Sequence, residues 1–236
     1  MCSRVLNVAA VLSFLSLAVT GCTFQVPVEA LETVDRPAGK EEIPLTMGVF
    51  YSPEFLSYEH KQTIGGGHKL RFEIGQSSAD HFDQVFLALF RDIKIVSRRP
   101  PLAPTGPRVD AVIEPRFESV AIHDPSLFGW AGTWDVRLTY LFTLFTIKGE
   151  PLASWTITGV GQNKKGIDWT GMGGSNIAGE AASRALRDAG EKFLDGFAQV
   201  PEVRRWLQER GSAGLPRSAK DNPALAIRGE GTWLGN

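Results

Sequence analysis

Cysteine is scarce in this chain of 236 residues, which contains only Cys2 and Cys22. Two cysteines cannot supply a disulfide framework, and they leave few thiolate ligands for a metal. The chain has four histidines, and no two of them have the spacing of metal ligands. These histidines are His60, His68, His81 and His123. We therefore expect neither a metal site nor any other cofactor.

A strong charge of either sign is also missing. Lys and Arg number 25 against 26 Asp and Glu, and no long basic stripe runs along the chain. Nucleic-acid binding depends on such positive charge, so a nucleic-acid partner is not expected. A serine nucleophile needs a strand–turn–helix elbow or a Ser-x-x-Lys pattern, and neither occurs at a suitable place. Because no convergent ionisable groups are evident, we expect a protein that is not an enzyme.

The first residues of the chain have the layout of an export signal. Arg4 precedes an apolar stretch at residues 5–19, which is shorter than the roughly 20 residues of a membrane-spanning helix. A short apolar stretch behind a basic residue is typical of a secretory signal peptide. The small residues Thr20 and Gly21 directly precede Cys22, and this arrangement resembles the lipobox of bacterial lipoproteins. The resemblance implies that residues 1–21 are removed and that Cys22 is acylated.

Acylation of Cys22 implies a membrane anchor. Two or more acyl chains, such as palmitate, hold a protein on a bilayer durably, whereas a single chain is marginal. The residue after Cys22 is Thr23. In lipoprotein sorting an Asp at that position favours retention in the inner membrane, so the resemblance implies the outer membrane. We expect a domain that faces the periplasm, with inner-membrane retention as the alternative.

Composition divides the remaining chain into three parts. Residues 22–42 combine prolines with five acidic and two basic residues, which predicts a lipidated cysteine followed by a flexible tether. Residues 43–210 hold 19 basic and 19 acidic residues and are long enough for a single globular domain. Residues 211–236 are rich in Gly, Pro, Ser and Asn and lack an apolar stripe. They predict a disordered tail.

Apolar periodicity predicts the fold of the domain. Alternation predicts strands at residues 43–51, 69–74, 93–96, 109–122, 136–144 and 152–160. Apolar spacings of three and four predict two main helices, the first capped by Ser78 and the second opened by Ser175 or Asn176. The first two strands are expected to form a hairpin, and the last two should pair at the centre of the sheet through a turn at Gly149. The prediction is an α+β two-layer sandwich, with a mostly antiparallel sheet of four to six strands and both helices on one face.

Aromatic residues are concentrated in two predicted loops at the open end of the last hairpin, residues 123–134 and 163–174. Aromatic side chains set among glycines are enriched at contact surfaces. We therefore predict a binding surface, and the alternative is that these rings fold back over the end of the core. The members of the predicted surface are Phe128, Trp130, Trp134, Trp169 and Met172.

Several features together resemble a known group of envelope proteins. They are the lipobox, the acidic tether, the run DAVIEPRFE at residues 110–118, the hairpin at residues 136–160 and the alanine-rich final helix. In this combination the chain is similar to the auxiliary lipoproteins of ABC-type lipid transport and to the lipopolysaccharide-assembly lipoprotein. The resemblance implies a non-enzymatic accessory or assembly factor that binds an envelope protein.

A second function remains open from the sequence. The domain could be the periplasmic lipid- or small-amphiphile-binding component of an ABC-type transport system. Such a carrier needs a cavity between the sheet and the helices. Leu141, Phe145 and Trp155 would line part of that cavity.

Overall fold

The computed structural model describes residues 23–30, 33–36, 38–64, 69–103, 105–123, 132–165 and 173–214. The predicted signal peptide, the lipidation site Cys22 and residues 215–236 lie outside the described residues. The strands are β1 (Thr23–Val26), β2 (Ile43–Val49), β3 (Glu59–Thr63), β4 (Lys69–Glu73), β5 (Phe90–Ile95), β6 (Ala111–His123), β7 (Gly132–Phe145) and β8 (Pro151–Lys165). The helices are α1 (Pro53–Leu56), α2 (Ile74–Leu89), α3 (Gly173–Gly196) and α4 (Pro201–Gly214), and the 3-10 turn Phe197–Gln199 precedes α4.

The main sheet has five strands in the order β5-β2-β6-β7-β8. β6, β7 and β8 are antiparallel neighbours, and β2 runs parallel to both β5 and β6. β2 and β5 can pair in parallel because the long chain between them, which ends with α2, crosses over the sheet. The predicted α+β sandwich is confirmed, and the sheet lies within the predicted range of four to six strands.

The core lies between one face of this sheet and the helices α2 and α3. Alternate residues of β7 face the helices, and these side chains are fully buried, as the period-two pattern predicted. They are Val136, Leu138, Tyr140, Phe142 and Leu144. The Phe142 ring lies 5.1 Å from the Phe82 ring of α2 and 4.9 Å from the Phe193 ring of α3. One side chain of the sheet thus contacts both helices, which confirms that they share one face.

α3 approaches β8 at backbone distance. An added Cβ at Gly159 would lie 2.0 Å from the carbonyl oxygen of Ala185, and one at Gly161 would lie 2.0 Å from that of Ala181. Only glycine on the strand and alanine on the helix allow this approach, because any larger side chain would push the two elements apart. The alanines of the last helix thus allow it to pack closely on the sheet.

A second sheet was not predicted. It has three strands in the order β1-β4-β3, with β1 parallel and β3 antiparallel to β4. β4 leads directly into α2, so Ser78 lies inside that helix, where its hydroxyl is hydrogen-bonded to the Tyr140 hydroxyl at 2.9 Å. The prediction of a hairpin between residues 43–51 and 69–74 is wrong, because β2 and β4 belong to different sheets.

The residues that follow Cys22 pack on the domain, although a flexible tether was predicted there. The side chains of Val26 and Val28 are buried, and the backbone N–H of Glu29 donates to the Ser183 hydroxyl of α3 at 2.8 Å. Further along, the Lys40 ammonium donates to the Leu194 carbonyl at 2.6 Å. The prediction relied on the acidic composition of the segment and overlooked two apolar residues at alternating positions. Burial of these two side chains stabilises the contact with the domain.

Two further predictions differ from the structure, one on the order of the strands and one on where the last helix ends. β8 is an edge strand, and β6 occupies the centre of the sheet. α4 continues to Gly214, past residue 210, where the domain was predicted to end. The turn between β7 and β8 is where the sequence placed it: Gly149 has a φ of 95° and its N–H donates to the Thr146 carbonyl at 3.0 Å. Glycine tolerates this left-handed conformation without strain.

We expect Gly161→Ala to destabilise the domain by about 2 kcal/mol or more, because the added methyl collides with the backbone of α3, which cannot rotate away. Denaturant unfolding followed by circular dichroism measures this loss. Gly196→Ala is the matched control, since an added Cβ there meets no atom within 4 Å. Equal stability of the two variants would contradict the close contact of α3 with β8.

A histidine is buried between α2 and α3. His81 is 1% exposed, and its ring lies against Gly190 of α3. Burial, together with the positive charge of Arg187, lowers the pKa of His81 from 6.5 to about 4, and neither ring nitrogen has a hydrogen-bond partner among the described residues. The folded state therefore favours the neutral ring.

The depressed pKa predicts a specific loss of stability in acid. Between pH 6.5 and about 4, the unfolded chain binds a proton at His81 that the folded chain does not. The free energy of unfolding is thus unaffected by His81 above this window and falls through it by about 3 kcal/mol. His81→Leu should lose less stability across the same window than the parent. Urea unfolding at both ends of the pH window measures the free energy of unfolding of each protein. Equal losses of this free energy by the parent and by His81→Leu would contradict the role of His81.

Candidate functional site

Most residues of the predicted contact surface lie outside the described residues. These are Phe128, Trp130, Trp169 and Met172. The strands on either side of the predicted loops are longer than the sequence suggested, since β6 reaches His123 and β8 reaches Lys165. His123 pairs with Asp135, and Gly132 pairs with Lys165. The end of β6, the start of β7 and the end of β8 therefore lie at the same end of the sheet, as the hairpin prediction required.

Trp134 belongs to the core and not to a loop. It lies in β7 opposite Asn163 and is only 1% exposed. The alternation that buries Val136 and Leu138 extends two residues further towards the start of the strand and includes Trp134. Its indole N–H has no hydrogen-bond partner among the described residues. Trp134 is thus unavailable as a contact residue in this conformation.

The residues proposed for a ligand cavity between sheet and helices do not share one space. Trp155 faces the helices and packs against the rings of Phe193 and Phe197, at 6.0 and 5.8 Å. Leu141 and Phe145 alternate with the helix-facing residues of β7 and so lie on the opposite face of the sheet. This correction follows from strand alternation, because Trp155 pairs with Phe142 and therefore shares its face.

A cavity opens at another place, where β2 ends beside β6. β2 pairs with β6 only at residues 111–113, and β6 continues past the end of β2. The chain that leaves β2 forms α1, and the chain that leaves β5 leads to Arg99. The space between them has a volume of about 600 Å³. It is lined by Phe50, Ser52, Pro53, Glu54, Phe55, Tyr58, Arg99, Arg116 and Phe117.

One wall of this cavity is aromatic. The Phe117 ring of β6 stacks on Phe55 at 4.7 Å and on Tyr58 at 4.3 Å between ring centroids. α1 positions Phe55, because the Ser52 hydroxyl accepts the Phe55 N–H and Pro53 opens the helix. Burial raises the pKa of Tyr58, so its hydroxyl stays protonated at neutral pH. Phe55 is only 2% exposed, so the apolar surface that this wall offers to a ligand comes from the partly exposed rings of Tyr58 and Phe117.

The other wall carries two arginines that share one carboxylate. The Glu114 side chain is 1% exposed, whereas those of Arg99 and Arg116 are 43% and 48% exposed. Both guanidinium groups donate to Glu114 Oε1, Arg99 at 2.5 Å and Arg116 at 3.0 Å. One carboxylate cannot neutralise two guanidinium groups. The group of three therefore carries a net positive charge at the cavity.

Arg99 is held in place from two sides. Its guanidinium lies 5.8 Å from the centre of the Phe145 ring, a cation–π distance. The proline-rich segment that carries it is tied to the β7–β8 turn, because the Leu102 N–H donates to the Ile147 carbonyl at 3.0 Å. Arg99 is thus fixed before any ligand arrives.

A second carboxylate lies at the rim of the cavity. Glu54 is in the first turn of α1. Hydrogen bonds from its own backbone N–H and from the Ser52 hydroxyl lower its pKa, so it is ionised at neutral pH. It forms no ion pair with Arg99 or Arg116 among the described residues. The cavity therefore has a positive side and a negative rim.

Sequence reasoning missed this cavity. A signal was present in β6, where Glu114 and Arg116 are two residues apart and so share a face of a strand that is otherwise largely apolar. No comparable signal marks Arg99, because its segment could be recognised as irregular but its contact with Glu114 could not be predicted. α1 has four residues, too few for apolar periodicity to be visible.

The described residues contain neither a metal-binding cluster nor a membrane-spanning helix. No group of three or more His, Cys, Asp or Glu side chains in them could hold a metal ion. Within the same part of the chain, no helix has the length and apolar character needed to cross a membrane.

The chain has distant similarities to solved structures. No family model and no curated protein matches the chain. A structure from Xanthomonas campestris, of the family DUF330, is 10% identical with a TM-score of 0.42, over 82% of this chain and 99% of the other. A Caulobacter crescentus CB15 protein described as a "putative lipoprotein" is 10% identical with a TM-score of 0.39, over 70% of this chain and 91% of the other. Similarities of this size do not support a conclusion about function.

Proposed function

We propose that this chain is a lipid-anchored, non-enzymatic binding protein of the bacterial cell envelope. The observation that carries the proposal is the sequence Thr20-Gly21-Cys22 at the end of an apolar stretch. Acylation of Cys22 would attach the chain to a bilayer, and the Thr23 that follows favours the outer membrane over the inner membrane. The domain would then face the periplasm.

The start of the fold supports a position close to the bilayer. β1 begins at Thr23, the residue directly after the proposed anchor, and pairs with β4 from its first residue. A lipid on Cys22 would therefore hold the three-stranded sheet near the membrane surface, without a tether of several residues between them.

The binding partner in this proposal is a protein of the envelope. In sequence, one aromatic segment lies between β6 and β7, and the other follows β8. The strand ends next to them are paired with one another at one end of the main sheet. β1 lies near that end. Pro27 directly follows β1, and its carbonyl oxygen would lie 2.2 Å from a Cβ added at Gly179, in the first turns of α3. A partner in or at the membrane would be within reach of the segments.

A binding role without catalysis is consistent with the cavity. Its buried carboxylate, Glu114, is engaged by two guanidinium groups and so is a poor general base. The Ser52 hydroxyl accepts the Phe55 N–H as a helix cap. The second candidate function is amphiphile binding, and the specific observation that favours it is this cavity, with one apolar wall and one cationic wall.

Replacement of the proposed acylation site tests the anchor. Cys22→Ala should move the protein from the membrane fraction to the soluble periplasmic fraction, because the acceptor thiol is lost. Cys2→Ala, within the predicted signal peptide, is the matched control and should leave the protein with the membranes. Immunoblots of separated fractions measure the distribution. Membrane retention of Cys22→Ala would overturn the anchoring proposal.

Replacement of the aromatic segments tests the partner surface. The triple variant Phe128→Ser, Trp130→Ser and Trp169→Ser should lose capture of its partner from solubilised envelope by about tenfold or more, because aromatic anchors dominate interface energies. Leu87→Ser is the control, since Leu87 is an exposed apolar residue (46%) on α2. Trp134 is left unchanged because it belongs to the core.

The fold of each variant must be checked beside its capture. Thermal unfolding should be nearly the same for the triple variant, Leu87→Ser and the parent. Unchanged capture by the folded triple variant would contradict the proposed surface, and so would unfolding of that variant, since it would place these rings in the core.

A further inference from the structure

We propose that the cavity between α1 and β6 binds a single anionic group, carboxylate or phosphate, carried on an apolar chain. This inference deepens the second candidate function, and it does not depend on the anchor or on the aromatic segments. The anion would contact the guanidinium groups of Arg99 and Arg116, and the apolar chain would lie along the partly exposed rings of Tyr58 and Phe117.

The charge balance selects the sign of the ligand. Arg99 and Arg116 bring two positive charges to one carboxylate, Glu114. To attach the proline-rich segment to the sheet, the pair Arg99–Glu114 is sufficient. Arg116 comes from the same strand as Glu114 and adds nothing to that attachment. Its guanidinium is therefore a surplus charge at the cavity wall, nearly half exposed and with donors to spare.

The geometry of the arginines suits an oxyanion. A guanidinium has five N–H donors, and Arg99 and Arg116 each direct one at Glu114 Oε1. Two planar groups that share one buried acceptor are held close together, so their free N–H groups can bind the same carboxylate or phosphate. The contact of Arg99 with Phe145 reduces the entropy that binding costs.

The opposite wall selects the remainder of the ligand. Phe55, Tyr58 and Phe117 form a continuous stack, and a volume of about 600 Å³ is in the usual range for small-molecule sites. Glu54 at the rim repels an anion, so the anionic group must lie on the arginine side and the apolar chain on the aromatic side. The rim carboxylate thereby orients the ligand.

Titration calorimetry with a matched ligand series tests the inference. The protein is the chain from Thr23 to Asn236, which retains every described residue. We expect saturable binding of decanoate or of a short-chain phosphatidic acid, and the stronger of the two identifies the source as a free fatty acid or a lipid headgroup. Decanol and decyltrimethylammonium should bind about tenfold more weakly, the effect of losing one charge-assisted hydrogen bond.

Three variants separate the site from general adhesion. Arg116→Gln should weaken decanoate binding about tenfold, and its fold is protected because Arg99 still pairs with Glu114. Arg137→Gln is the matched control, since Arg137 pairs with Asp135 on the same sheet and does not line the cavity. Glu54→Gln, at an exposed position, should strengthen binding about twofold because a repulsive rim charge is removed.

Several results would overturn the inference. They are the absence of binding by either anion, equal binding of decanol and decanoate, and equal binding by folded Arg116→Gln and Arg137→Gln. None of them bears on Cys22 or on the aromatic segments. Conversely, membrane retention of Cys22→Ala would overturn the anchor and leave the cavity untouched.

Discussion

The backbone contact between α3 and β8 is the constraint on which the rest of the structure depends. Gly159 and Gly161 let the helix lie directly on the strand, so the height and direction of α3 over the sheet are fixed by main-chain atoms. That position brings Phe193 against Phe142 and Trp155, and it sets Ser183 where the N-terminal segment can dock. A helix raised by one methyl group would lose both sets of contacts.

The elements with strong internal periodicity could be predicted from the sequence. The apolar face of β7 and the alanine face of α3 repeat over enough residues for their period to be unmistakable, and both are buried as expected. The parallel pairing of β2 with β5 and β6 could not be predicted, because a strand's own pattern does not say which neighbour it takes. The same reason explains the failed hairpin between residues 43–51 and 69–74.

The residues of the cavity also could not all be predicted, because a side chain's own position in the sequence does not say which residue it contacts. Glu114 and Arg116 could be placed on one face of a strand, but the third member of the group, Arg99, comes from an irregular segment, and no pattern in that segment predicts its contacts with Glu114, Phe145 and the β7–β8 turn. At residues 22–42 the acidic composition predicted a flexible tether, although Val26 and Val28 in this segment are buried. Trp134 was misplaced because it lies at the end of a strand, and strand ends are the least certain part of any pattern.

The direct passage from Cys22 into β1 has a mechanical consequence. A lipid on that cysteine would transmit any pull from the membrane along β1, which runs parallel to β4 over four paired residues. Such a pull loads all the hydrogen bonds of the ladder in shear at once, and it does not open them one after another from an end. The small sheet would then connect the anchor mechanically to the domain. Force on β1 would pass through the ladder to β4, the strand that continues directly into α2.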